Sequence, residues 1–168
     1  MPTSEALLPI DVPLSSAGAP LPHVFADEGR LLIAYIAHSP DPEFDGANPR
    51  SISSVTGDQS IAILTADSYL ALQFGPPNDE VISGHRLYGL GLKPYSAFEV
   101  LNSSWIASFE KANRVHSSHT PALFSGYRHF ILTFHDSTLE FIARSFSVNL
   151  HQGAVLTALM ESIGDPIP

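Results

Sequence analysis

Apolar residues in this chain come in runs of strand length, each closed by proline, glycine or an Asp/Ser pair. That punctuation restricts the fold more than any other feature. Residues 30–38, RLLIAYIAH, form one such run and stop at Ser-Pro-Asp-Pro, where two prolines remove donors that further pairing needs. Residues 61–74, IAILTADSYLALQF, read as two strands joined at Ala66-Asp67-Ser68. Residues 127–148 repeat the device, with ILT followed by a turn holding Asp136-Ser137 and a second apolar strand. Short polar side chains in both turns can bond nearby backbone groups, which predicts two antiparallel hairpins of one kind.

Two helices are expected beside these strands. Ser96-Ala97-Phe98-Glu99 has the form of a capping box, and Phe98, Leu101, Trp105, Phe109 and Ala112 follow helical spacing, giving a helix over about 97–116. Asn102-Ser103-Ser104 could instead cap a shorter helix beginning at Trp105. A C-terminal helix is predicted over about 152–163, with Gly164 and Pro166 ending it. The fold class is therefore α+β: a curved antiparallel sheet or partial β-barrel, one helix inserted before the last hairpin and one at the C-terminus. Residues 1–22 hold five prolines and read as an extended arm, leaving 23–168 as a single globular domain.

Composition narrows the function. The chain has no cysteine, which excludes a disulfide framework, a thiolate metal site and a cysteine nucleophile, and fits a reducing cytoplasm. No apolar run approaches membrane-spanning length, and the N-terminus lacks the basic start of a signal peptide. Residues 1–80 carry eleven acidic side chains against Arg30 and Arg50, while residues 81–168 carry six of each sign. Such a distribution repels phosphate backbones, so neither nucleic acid nor an anionic membrane is expected as a partner. A small-molecule ligand fits better; homo-oligomer formation is compatible with the sequence.

Motif tests mostly fail. Asp41, Glu43, Asp45 and Gly46 match the opening of an EF-hand loop, but position twelve would be Ile52 and Asn48 stands where an apolar residue belongs, so a solvated acidic turn is the expectation. Gly89-Leu90-Gly91-Leu92 lacks the third glycine of a dinucleotide fingerprint. There is no GxSxG, HExxH or P-loop, and no cofactor is expected.

The histidines carry the remaining signal, six of the eight lying between His85 and His151. His129 and His135 share a strand face but stand about 20 Å apart, too far to hold one metal ion. His116 and His119 could chelate only if the helix reached them, and Ser117, Ser118 and Pro121 argue that it has ended, so no metal site is expected. His135 and Asp136 enter the second hairpin turn and Glu140 leaves it. A carboxylate beside an imidazole can fix its tautomer and raise its basicity, which makes His129, His135, Asp136 and Glu140 the candidate catalytic residues. The face holding Tyr127, His129 and Thr133 is mixed, while Phe130, Leu132 and Phe134 opposite are apolar; if those three meet the helices, the mixed face lines either solvent or a cavity. A concave sheet lined by that mixed face would suit a ligand, with Trp105 from the helix and His85 and Tyr88 from the long glycine-rich loop as further contacts.

Residues 44–74 contain Asn48-Pro49-Arg50 and, after a strand, Asp67-Ser68-Tyr69. This order resembles the early strands of bacterial lipocalin-like proteins, in which an NPRG-like turn precedes a strand and an Asp-Gly-Tyr hairpin. The resemblance implies a curved antiparallel sheet able to hold a small apolar ligand. Three readings follow: binding of a small, largely apolar molecule; a cofactor-independent lyase, isomerase or hydrolase with a histidine base; and an interaction module using its acidic half.

Overall fold

The structure, a computed structural model, describes residues 4–40 and 50–164. The acidic loop bearing Asp41, Glu43, Asp45, Gly46 and Asn48 lies outside the described residues. Among the described residues, nine strands form two antiparallel sheets that are not closed into a barrel, giving an α+β architecture. One sheet is ordered β1 (Ala6–Pro9), β6 (Ala97–Leu101), β7 (Arg128–Thr133), β8 (Thr138–Ala143) and β5 (Ala71–Gly75). The other is ordered β2 (His23–Ala26), β3 (Arg30–Ile36), β4 (Gln59–Asp67) and β9 (Ser147–Gly153). Helix α1 spans Ser104–Asn113 and helix α2 spans Val155–Gly164.

Strand alternation assigns the layers. Leu31, Ile33 and Tyr35 of β3 meet Phe130 and Leu132 of β7 and Leu139 and Phe141 of β8 in the core between the sheets. The opposite phase of β3, Leu32, Ala34 and Ile36, is buried under Val155, Ala158 and Leu159 of α2. A strand covered on both faces needs apolar residues in both phases, which is why β3 reads as an unbroken apolar run. Phe130, Leu132 and Phe134 therefore face the second sheet and not the helices. Their mixed opposite face, with His129, Ile131 and Thr133, is covered in turn by α1 and by the segment carrying Ile82, Leu87 and Leu92.

Several local expectations are corrected. The first hairpin does not exist: β4 pairs with β3 and β9, and β5 pairs with β8 in the other sheet. Asp67-Ser68 is instead a corner between sheets, where Ser68 takes a φ of 54° and its N–H donates to the Gly29 carbonyl at 2.8 Å. Residues 97–101 are strand and not helix, because their backbone pairs with β1 on one side and β7 on the other. Ser96 and Glu99 form no capping box; the Ser96 hydroxyl donates to the Lys93 carbonyl at 2.5 Å and Glu99 pairs with Arg128. The cap is Ser103, whose Oγ accepts from the Ile106 N–H at 3.2 Å, so α1 is the shorter helix and Phe98 and Leu101 precede it. Gln152 and Gly153 close β9 opposite Ser60 and Gln59, and α2 begins only at Val155. Part of the proline-rich arm is built into the fold as β1, with a further bridge from Ser15 to Ala37, and β2 follows it directly ahead of β3. The long glycine-rich loop carries two 3₁₀ segments, Asp79–Gly84 and Tyr88–Leu90.

The ring of Phe130 is fully buried, 5.1 Å from Phe141 and 4.9 Å from Phe146. Phe130→Ala is expected to cost about 3–5 kcal/mol of unfolding free energy, read from the urea midpoint at constant m-value.

A candidate functional site around a buried carboxylate

In β8 the alternation of Thr138-Leu139-Glu140-Phe141-Ile142 sends Leu139 and Phe141 into the core and Glu140 to the outer face. There Glu140 lies opposite Ile131 of β7 and Gln73 of β5, with only 4% of its side chain exposed. Removing an ionised carboxylate from water costs several kcal/mol unless charged donors replace the lost hydration. Three donors do so. His129 Nε2 lies 2.8 Å and Arg86 Nη2 2.6 Å from Glu140 Oε2, and His85 Nε2 lies 3.1 Å from Oε1.

These donors are themselves held. The Leu87 N–H donates to His85 Nδ1 at 3.2 Å, which leaves the His85 proton on Nε2 facing the carboxylate. His129 is fully buried, with the Trp105 ring edge-on at 5.1 Å and its Nδ1 2.8 Å from Ser103 Oγ. The second arm of Arg86 donates to Glu5 Oε2 at 2.9 Å, and Glu5 Oε1 accepts from both the N–H and the hydroxyl of Ser104, each at 2.8 Å. One carboxylate thus ties the sheet to the long loop, to the first turn of α1 and to the residue before β1. Burial pushes the Glu140 carboxyl up, but the His129 hydrogen bond and the charges of Arg86, His129 and His85 outweigh it and hold the group below its ordinary 4.5. For Glu5, burial is likewise outweighed by the bonds from Ser104 and the Arg86 charge.

A second cluster sits just past the end of β7. Asp79 Oδ2 receives the Tyr95 hydroxyl at 2.5 Å and His135 Nδ1 at 2.9 Å. Asp136, expected as the partner of His135, is 86% exposed and its Oδ1 stands 3.9 Å from Nε2, because neighbouring residues point to different sides.

Two grooves open beside α1 and the long loop. One, of about 620 Å³, runs past Pro77, Val81, His85, Arg86 and Glu140. The other, of about 510 Å³, lies between α1, the start of β7 and the 3₁₀ segment Pro121–Leu123, with Ser103 and Tyr127 in its wall. Of the residues singled out from sequence, His129, Glu140 and His85 meet in one network and His135 stands in another. Trp105 covers His129, and Tyr127 lines the second groove. Thr133 is a structural pin, its hydroxyl donating to the Lys93 carbonyl at 2.7 Å, and Tyr88 is exposed on its 3₁₀ segment. His116 and His119 lie beyond the end of α1, with His119 bonded to Glu110 and Asn113. Among the described residues no three His, Asp or Glu side chains gather in a way that could hold a metal ion.

Sequence reasoning missed Glu5, Asp79, Arg86, Tyr95 and Ser103 as members of these clusters. Only Ser103 left a usable signal, through the alternative cap at 102–104; the others are joined by contacts between distant parts of the chain.

Glu140→Gln removes the charge shared by two buried imidazoles and the half-exposed Arg86, and is expected to cost about 3 kcal/mol at pH 7 in urea unfolding. Because the folded-state pKa of Glu140 is depressed, its contribution is present above about pH 4.5 and is lost as pH falls through the folded value. The gap between wild type and variant should therefore shrink on acidification below pH 4.5. No known protein family, curated protein or solved structure matches the chain.

Proposed function

We propose that the chain binds a small, largely apolar molecule in the groove formed by α1, the start of β7 and the 3₁₀ segment Pro121–Leu123. The observation that carries this reading is the groove itself. Its volume of about 510 Å³ lies within the range of small-molecule sites, roughly 300–1,000 Å³. Leu101, Ile106, Ala107, Phe124 and Tyr127 supply an apolar wall, and Ser103 adds a polar point at its edge. The Glu99–Arg128 pair closes one side, with the Arg128 guanidinium 5.0 Å above the Phe130 ring, so those charges are spent on each other. An apolar ligand body with few polar groups is the complement of such a surface. The likeness of residues 44–74 to lipocalin-like proteins points to the same ligand class.

The site of action in this reading is the cytoplasm, consistent with a chain that has no cysteine, and the net charge of −9 favours a neutral or weakly polar ligand over a polyanion.

Titration with the neutral fluorophore N-phenyl-1-naphthylamine should show one saturable site, with amide shift changes centred on Ile106, Phe124 and Tyr127. Ile106→Asp should weaken binding at least about tenfold, equivalent to about 1.4 kcal/mol. Shift changes centred elsewhere, or equal affinity in the variant, would contradict the reading.

A further inference from the structure

Four imidazoles among the described residues meet a carboxylate: His85 and His129 at Glu140, His119 at Glu110 and His135 at Asp79. In three of them both ring nitrogens are occupied. His85 is held by Glu140 and the Leu87 N–H, His129 by Glu140 and Ser103, and His119 by Glu110 and Asn113. A ring bonded at both nitrogens has no lone pair to offer a substrate. His135 differs: its Nδ1 faces Asp79, its Nε2 makes no hydrogen bond, and 43% of the side chain is exposed.

The surroundings fix that orientation. An ionised carboxylate can only accept, so the bond to Asp79 Oδ2 places the His135 proton on Nδ1 and leaves the Nε2 lone pair facing outward. The Tyr95 oxygen lies 2.8 Å from the same Nδ1 while its own proton goes to Asp79. The Asp79 N–H donates back to the His135 carbonyl at 3.0 Å, so acceptor and ring are locked to each other through backbone as well as side chain. Tyr95 adopts a φ of 53°, a left-handed conformation that an aromatic residue takes only when its surroundings impose it.

We propose that His135 is a general base, positioned by Asp79 and Tyr95, that activates water for the hydrolysis of esters. Water is the molecule an outward-facing Nε2 meets first. Nε2 takes a proton from water as the water oxygen bonds to the ester carbonyl carbon, and the carbonyl π pair moves to oxygen. The imidazolium is stabilised by Asp79. When the tetrahedral intermediate collapses, the bond to the alkoxy oxygen breaks and Nε2 returns its proton to that oxygen. One ester and one water give one carboxylic acid and one alcohol, with His135 restored. This site stands apart from the groove proposed above, at the other end of β7, and does not depend on it.

The charged and titratable groups facing the ring are Asp79 and Glu80 from the 3₁₀ segment, Tyr95 from the turn before β6, and Asp136 from its own turn. The Asp79 hydrogen bond, opposed by partial desolvation and helped by the charges of Asp79, Asp136 and Glu80, raises His135 above its ordinary 6.5. The bond to Asp79 pushes Tyr95 up to about 12, so it keeps its proton across the neutral range.

The test uses the full chain and p-nitrophenyl acetate. Wild type should hydrolyse it at least about tenfold faster than His135→Ala and His135→Gln, while His38→Ala, altered at an exposed histidine elsewhere, keeps the wild-type rate. The pH–rate curve should rise with a midpoint above 6.5 that coincides with the His135 titration seen by NMR, and Asp79→Asn should lower both midpoints. Equal rates in wild type and both His135 variants would overturn the proposal. So would equal loss in His38→Ala, or a midpoint that Asp79→Asn leaves in place.

Discussion

The arrangement of this molecule depends on one buried negative charge. Glu140 stands on the outer face of the five-stranded sheet, where its carboxylate is satisfied only by donors brought from elsewhere in the chain. His129 comes from the neighbouring strand, while His85 and Arg86 come from a loop with little regular structure of its own. Arg86 then reaches Glu5, and Glu5 holds the first turn of α1 through Ser104. A charge in this position favours a unique placement of loop, helix and arm, because any other placement leaves it unpaired.

Stability and chemistry are separated by layer. The core between the sheets and the packing of α2 on the four-stranded sheet are almost entirely apolar, and they determine whether the chain folds. The outer face of the five-stranded sheet combines a small apolar cluster around Leu87, Leu92 and Ile131 with polar side chains that each need a specific partner. The long loop is positioned by both ends of one 3₁₀ segment: Asp79 at its start bonds His135, and His85 just past its end bonds Glu140. The free imidazole edge and the groove beside α1 are products of that covering layer.

What was legible in the sequence was what local residues decide. The β7–β8 hairpin, both helices as elements, and the inward face of Phe130, Leu132 and Phe134 follow from alternation and turn chemistry over a few residues. Choices made by distant segments were not legible. Residues 61–74 look like a hairpin because Asp67-Ser68 suits a tight turn, yet β4 and β5 each pair with distant strands in different sheets. Residues 97–101 carry an acceptable helix start, but flanking strands on both sides claim their backbone. The candidate site divides the same way. His129 and Glu140 stand out as unusual residues in apolar strands, and their meeting follows once the hairpin register is known. Asp79 is 56 residues from His135, and Glu5 is 81 from Arg86, so no local pattern could join them.

The claim that Glu140 organises the outer layer can be tested by comparing amide hydrogen exchange in wild type and Glu140→Gln. Exchange should accelerate together in three separated stretches, residues 85–92, residues 103–107 and β1, while β3 and β4 stay as protected as in wild type. Acceleration confined to β8 and its immediate neighbours β5 and β7 would contradict it, and would reduce the buried carboxylate to a local feature of one strand.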